Sequence, residues 1–324
     1  MKALVTGGAG YIGSVVAAQL LDAGHEVVVL DDLSRGHAEA VPPGAEHVDV
    51  SLDDAQALDA PLAAGIDAVL HFAALSLVAE SVEHPERYWR NNVGGTRNLL
   101  DAMRTHGVAR LVFSSTAATY GEPDTIPITE DQPPAPVNAY GASKLAVDLM
   151  IRDECRAHGL AAASLRYFNV AGASRQLGED HEPETHLIPL VLQAAAGVRD
   201  HIKVFGTDYP TRDGTAVRDY IHVEDLGQAH LLALDRLEPG THAVFNLGTG
   251  DGYTVREVIE AARTVTGREI PVRDEGRRPG DPPALVAANA RAREGLGWEP
   301  RRSLEEMIAD AWAWHRAHPH GHGA

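Results

Sequence analysis

Val5-Thr-Gly-Gly-Ala-Gly-Tyr-Ile-Gly13 stands where a short apolar run, Lys2 to Thr6, gives way to helical spacing. Ile12, Val16, Leu20 and Ala23 recur three or four residues apart, and Gly24 follows where a left-handed cap is wanted. The order is strand, glycine turn, helix, strand. Gly8, Gly10 and Gly13 satisfy the general dinucleotide spacing, and Gly7, Gly10 and Gly13 the wider three-residue spacing. Such glycines permit a tight turn that aims the backbone N–H groups of the helix start at a pyrophosphate. A glycine turn can exist without a ligand, but the strand before it and the helix after it make this one a candidate site.

Asp31 ends the next apolar run, where a carboxylate can accept from both ribose hydroxyls and would repel a 2′-phosphate. Arg35 is near enough to hold such a phosphate, yet Asp31 and Asp32 precede it and make the pocket acidic. NAD is therefore expected rather than NADP.

Outward from this unit, Glu26 to Leu30, Ala45 to Val50, Ala68 to Phe72, Arg110 to Ser114 and Ala162 to Tyr167 are further short apolar runs. Stretches with helical spacing mostly separate them, which predicts a doubly wound parallel α/β sheet of the Rossmann type over residues 1–170. After Gly172 the chain turns to Pro/Gly-punctuated loops around shorter elements, including Ile202 to Phe205, Tyr220 to Val223 and Ala243 to Leu247. Residues 171–324 are read as a smaller mixed α/β lobe for the substrate, with segments around 218–247 returning to the first. Ser303 and Glu306 form a capping-box pattern before a last helix whose Leu304, Met307, Ile308, Ala311 and Trp312 share one face.

The 324 residues are 44% hydrophobic and 23% charged, as in ordinary globular proteins. A net charge of -18 repels nucleic acid in the absence of a basic patch, so an anionic ligand must meet local cations. Cys155 is the only cysteine, which excludes an intrachain disulfide and any thiolate cluster and agrees with a reducing compartment. The apolar run at the start is too short for a signal or a membrane span, and a cytoplasmic enzyme is expected. His315, His318, His320 and His322 are irregularly spaced at a terminus, and no metal site is expected.

Tyr140-Gly-Ala-Ser-Lys144 opens a segment with helical periodicity that ends at Gly159, which puts the two side chains one turn apart on one face. A free phenol has a pKa of about 10, but an adjacent ammonium and a positive nicotinamide ring would favour the phenolate. Ser114-Ser115-Thr116 ends a predicted strand on the carboxyl edge, where a hydroxyl can share the proton moving to Tyr140.

Taken in order, the motifs resemble the extended short-chain dehydrogenase/reductase family along nearly the whole chain. The segments are Val5 to Gly13, His71-Phe-Ala-Ala74, Asn91-Asn-Val93, Val112 to Gly121, Tyr140 to Lys144, Arg166-Tyr-Phe-Asn169 and Tyr209 to Val223. The resemblance implies NAD-dependent epimerisation of a UDP-hexose at C4 through a transient 4-keto sugar, with Thr116, Tyr140 and Lys144 as the catalytic set. Thr116 replaces the more usual serine. Gly7, Gly10, Tyr11, Ile12, Gly13, Asp31, Asp32, Leu33, Phe72, Ala73, Ala74, Asn92 and Phe168 would surround NAD, together with the catalytic set. Asn169, Leu187, Phe205, Arg218, Arg278 and Asp281 would join Thr116 and Tyr140 around the UDP-sugar, the arginines answering the unfavourable net charge. A homodimer packed across helices such as Ala142 to His158 is also implied.

The chain departs from the family's pattern in places. Leu75 and Ser76 stand where one lysine is usual, Ser51 near an expected adenine-contacting aspartate, and His186 where an asparagine is possible. Leu285 falls where some relatives carry tyrosine, and a shorter side chain there leaves room for an N-acetyl group. The rivals are epimerisation of a UDP-N-acetyl sugar or UDP-pentose, and another sugar-nucleotide dehydratase or reductase. A 4,6-dehydratase would carry an acidic pair where this chain has Ala117 and Ala118, and a dinucleotide-sensing regulator would not need Thr116, Tyr140 and Lys144.

Overall fold

The computed structural model describes residues 1–278 and 280–323. The first part alternates β1 (Lys2–Thr6), α1 (Tyr11–Asp22), β2 (Glu26–Leu30), β3 (Glu46–Val48), α2 (Asp59–Ala63) and β4 (Ala68–His71). Then follow α3 (Val78–Glu83), α4 (Pro85–Tyr88), a wide π-helical turn (Trp89–Gly95), α5 (Thr96–Thr105), β5 (Arg110–Thr116), α6 (Ala139–His158) and β6 (Ala161–Tyr167). The valine-rich β2 and the apolar β1 and β4 are buried along nearly their whole length, as strands covered on both faces must be. α6 begins at Asn138, whose side chain accepts from Gly141 N, and stops at Gly159 with φ +74°.

The rest of the chain comprises β7 (Asn169–Ala171), α7 (Leu187–Ala195), β8 (Ile202–Phe205), β9 (Val217–Arg218), β10 (Tyr220–His222), α8 (Val223–Asp235) and β11 (His242–Leu247). It ends with β12 (Tyr253–Thr254), α9 (Val255–Thr266), β13 (Val272–Glu275), β14 (Ala284–Leu285), α10 (Ala290–Leu296) and α11 (Leu304–Ala317). Both halves of the Ser303/Glu306 capping box form at the start of α11.

Seven strands make one parallel sheet in the order β11-β6-β5-β4-β1-β2-β3. The order reverses between β1 and β4, and it is beyond the carboxyl ends at such a switch that ligands bind. One face is filled by α1 and α8, through Val16, Leu20, Leu226 and Ala229, and the other by α5 and α6, through Leu99, Met103, Val147 and Ile151. A third core joins α7, α9 and α11 around Val191, Val258 and Met307 and carries the short sheets. Besides α8 and β11, the stretch Ala290–Trp298 also packs on the large sheet: Trp298 is fully buried and its indole N–H donates to Asp225 O at 2.8 Å. Local periodicity gave no sign of that last return, because the contacts that cause it are long-range.

Candidate active site

The glycines of the turn fall into two roles. A Cβ on Gly7, which holds φ +70°, would come within 2.5 Å of Ala73 N, and one on Gly13 within 2.2 Å of Gly7 O. Those two let the turn close on itself. A Cβ on Gly10 would meet nothing nearer than 3.4 Å, and Gly10 caps α1 with no side-chain hydrogen bond and no acid in the first turn. Open space before uncapped backbone donors suits a pyrophosphate, so a dinucleotide fits this cradle.

Around it, Asp31 Oδ2 accepts from Ala9 N and Oδ1 from Leu33 N, each at 3.0 Å. Burial nevertheless raises its carboxyl pKa, whereas bonds from Ser34 hold Asp32 low despite its own burial. Leu33 takes a left-handed φ of 54°. Phe72 and Ala73 both donate backbone N–H groups to Thr6 O, at 2.9 and 3.1 Å, which brings the loop that continues into Ala74 alongside Gly7. Asn92, carried inward by the wide turn, accepts from Leu75 N at 2.8 Å and donates to Leu75 O and Ser143 Oγ, each at 3.0 Å. Its amide therefore fixes the loop to α6. Ile12 packs into the core, and the buried Tyr11 phenol donates to Gly172 O at 2.6 Å, leaving this first turn's backbone for a ligand.

Thr116 ends β5, and Tyr140 and Lys144 sit in the first turns of α6, so the sheet edge and the helix start bring the three together. Ala118 N donates to Thr116 Oγ1 at 3.1 Å, which leaves the hydroxyl proton free for Tyr140. Lys144 is buried, donates to Ser114 O at 2.8 Å and lies 4.8 Å from the centre of the Phe113 ring. Burial pushes its pKa down to about 7, with Asp148 opposing. Burial likewise raises Tyr140, and only the Thr116 hydrogen bond pulls the other way. The phenolate is expected from the ammonium and a positive nicotinamide ring acting together, and the protein by itself supplies only the ammonium. Lys144 points to a strand carbonyl, and a positive ring beside the phenol is still needed.

Beneath this triad the sequence reading missed a supporting network. Asp148, one turn beyond Lys144, receives Arg166 Nε and Nη2 at 3.1 and 2.8 Å and the Ser115 hydroxyl at 3.2 Å. Arg166 Nη1 also donates to the Tyr120 hydroxyl at 3.0 Å. A buried pair of this kind anchors α6 on β5 and β6, and its signal lay in the Arg166-Tyr-Phe-Asn169 motif.

The connection between β5 and α6 and the segments after β8 enclose an open cleft of about 490 Å³, lined by Glu122, Ile126, Tyr209, Arg277, Arg278 and Asp281 among others. Arg278 lies over the Phe205 ring at 3.8 Å, Arg277 over Tyr209 at 4.3 Å, and Arg218 pairs with Asp281. Phe205, Arg218, Arg278 and Asp281 are therefore brought together. Tyr209 opens one of the motifs read from the sequence but was given no site role there, and Arg277 adjoins Arg278, which was. Asn169, whose amide donates to Asp219 O at 3.0 Å, and Leu187, the first residue of α7, do not line this cleft. Phe168 packs with Leu285 against Ala117, Tyr120 and Ile128, next to Thr116.

Residues 3–248 match the model of the NAD dependent epimerase/dehydratase family. UDP-glucose 4-epimerase of Streptomyces lividans is 57% identical over 323 residues, covering 99% of this chain and 98% of its own length. That of Corynebacterium glutamicum is 56% identical over 316 residues, covering 97% and 95%. A crystal structure of UDP-glucose-4-epimerase from Stenotrophomonas maltophila with bound NAD and formylated UDP-arabinopyranose superposes with a TM-score of 0.95 at 40% identity, covering 98% of this chain and 99% of that one.

Proposed function

The chain belongs to the NAD dependent epimerase/dehydratase family, and we infer that it inverts C4 of a UDP-hexose, interconverting UDP-galactose and UDP-glucose with NAD as its cofactor. The observation that carries this reading is the convergence of Thr116, Tyr140 and Lys144 at the carboxyl edge of the sheet, beside an open glycine cradle.

Tyr140 accepts the C4 hydroxyl proton, with Thr116 sharing it, as that carbon becomes a ketone. NAD, when bound, would supply the acceptor and then the donor of the C4 hydride, so no external reductant would be needed. Lys144 is assigned to hold the cofactor end of the site, because its ammonium is fixed to Ser114 O. The keto sugar must turn about its diphosphate linkage before the hydride returns to the other face, while Phe205, Arg218, Arg278 and Asp281 keep the nucleotide in place. Tyr140 then gives its proton back to the new C4 oxygen. Purified protein given UDP-galactose and no added cofactor should form UDP-glucose, read by chromatography. If none forms even with NAD supplied, the reaction assigned here is wrong.

Leu285 favours a second substrate: packed beside Phe168 and Ala117, it narrows the sugar pocket less than a tyrosine would. UDP-N-acetylglucosamine should then be epimerised too, and no conversion at saturating enzyme would dismiss this extension. We further propose a homodimer, supported by exposed Val78 and Val82 on α3 and Leu149 on α6, helices that pack on one another. A monomeric mass in light scattering would refute it. The free, buried Cys155 suits a cytoplasmic setting.

A further inference from the structure

Away from the reacting groups, Glu179, His181, Glu184 and His186 converge from the single loop between β7 and α7, with one ligand-type atom of each lying within 4.8 Å of the others. His186 Nδ1 is 2.8 Å from Glu179 Oε1 and 3.0 Å from Glu184 Oε1, and His181 Nδ1 is 3.2 Å from the same Glu179 oxygen. Tetrahedral coordination with bonds of about 2.0–2.1 Å sets ligand atoms roughly 3.3–3.4 Å apart, and three of the six separations here, 2.8 to 3.2 Å, already lie near that edge length.

The cluster is not satisfied by its own hydrogen bonds. His181 Nδ1 is buried and faces Glu179 Oε1 at 3.2 Å without the alignment of a good hydrogen bond. His186 Nδ1 lies between the two carboxylates, which leaves His181 with no partner of its own. A divalent cation serves all four at once: two carboxylates cancel its charge, and two imidazoles complete an N2O2 set of the kind zinc takes. Glu184 is pre-aimed by its own loop, its Oε1 accepting from Thr185 N and His186 N at 2.6 and 2.7 Å.

We propose that Glu179, His181, Glu184 and His186 bind a zinc ion as a structural clasp, replacing the sequence-based expectation of no metal site. The clasp sits where the loop is gripped from two sides. Arg35 Nη1 donates to Glu182 O at 2.9 Å and His37 Nε2 lies 3.2 Å from Asp180 O, both from the loop beyond Asp31. From the C-terminal segment, Trp314 Nε1 donates to Gln176 O at 2.9 Å and His322 N to Asp180 Oδ2 at 2.8 Å. An ion there holds the cofactor-side loop, the tail and the start of α7 in one arrangement without touching the reacting atoms. The inference rests on the loop alone and stands whatever sugar the enzyme takes.

The test is metal content. Tag-free protein grown with zinc and desalted should retain about one zinc per chain by mass spectrometry. Its chelator-stripped form should unfold at a lower temperature and recover on addition of zinc, and cobalt loading should give the visible bands of a tetrahedral site. Glu179→Gln and His181→Asn should each cut retained zinc at least about tenfold, while the tail variant His320→Gln/His322→Gln should keep it. No retained zinc, no cobalt bands and no thermal response in the unmutated protein would overturn the clasp. So would full zinc retention in folded His181→Asn, or zinc lost only with the tail histidines. If Glu179→Gln does not fold, the stripping and reloading of the unmutated protein decides.

Discussion

The buried end of the site and the open cleft of the lobe solve opposite problems. Around Gly7, Thr116 and Lys144, charge is discouraged unless it is paired, as Asp148 is with Arg166: burial brings Lys144 down to about pH 7 and His71 to about pH 3. Around Arg218, Arg277 and Asp281, charge is plentiful but already paired within the protein, Arg218 with Asp281 and Arg277 with Asp208. A deep site of fixed shape can hold a cofactor through many turnovers. A cleft of exchangeable ion pairs, the Arg218–Asp281 pair partly buried and the Arg277–Asp208 pair exposed, can grip a diphosphate and release it. Low charge at one end therefore belongs to chemistry, and paired charge at the other to traffic.

Removing a single oxygen at the buried end should have the largest effect. Tyr140→Phe is expected to lower kcat by roughly 10²–10⁴-fold with little change in KM, since it deletes a proton carrier and leaves the packing against Tyr88 in place. A loss in KM instead would move Tyr140 from the buried chemistry to binding.

Lys144 sharpens the contrast through pH. Its folded pKa lies below that of the unfolded chain, so the unfolded state binds more protons between about pH 7 and 10.4 and stability rises with pH across that window. The penalty for burying the ammonium is fully present below about pH 7. In cofactor-free protein, Lys144→Met should therefore gain on the unmutated chain by up to a few kcal/mol at pH 6.5, over a constant offset for the lost bond to Ser114 O, with the gain shrinking towards pH 10. Urea unfolding at several pH values measures it, and a pH-independent difference would mean that Lys144 is not buried as a strained cation.

At the cleft, Arg218→Met should raise KM for UDP-galactose by about 10–100-fold, as for a lost charge-assisted hydrogen bond, and leave kcat nearly unchanged. The gap should narrow as salt is added, because this end is open to screening. A salt-independent loss would place Arg218 with the buried group instead.

The two ends also differed in how far the sequence revealed them. The buried end is local: Gly7 to Gly13 lies within one strand–turn–helix unit, Tyr140 and Lys144 within one helical turn, and Asp31 at the end of the next strand. Periodicity and spacing reach that far. The cleft depends on Phe205, Arg218 and Arg278 meeting from three separate segments, and no pattern within any one of them shows that Tyr209 and Arg277 stand beside them. The return of Trp298 to the large sheet and the Asp148–Arg166 pair beneath Lys144 were hidden for the same reason. The Glu179–His186 cluster was a different failure. It is local, but its Glu-x-His pairs match no familiar metal spacing.

The smallest effect should come from the most exposed contact. Arg278 stacks on Phe205 at 3.8 Å but is itself exposed, a setting in which a cation over a ring contributes about 0.5–1 kcal/mol. If that stacking is all it provides, Arg278→Leu should raise KM no more than about fivefold, since 1.4 kcal/mol corresponds to a factor of ten. If Arg278 leaves the ring to meet the diphosphate, the loss should approach that of Arg218→Met and the two should be sub-additive in a double-mutant cycle, since both would serve one ligand group. Steady-state KM values for the two single variants and the double variant separate these cases: a small, additive loss leaves Arg278 as a lid on Phe205, and a large, coupled one makes it part of the exchangeable charge of the cleft.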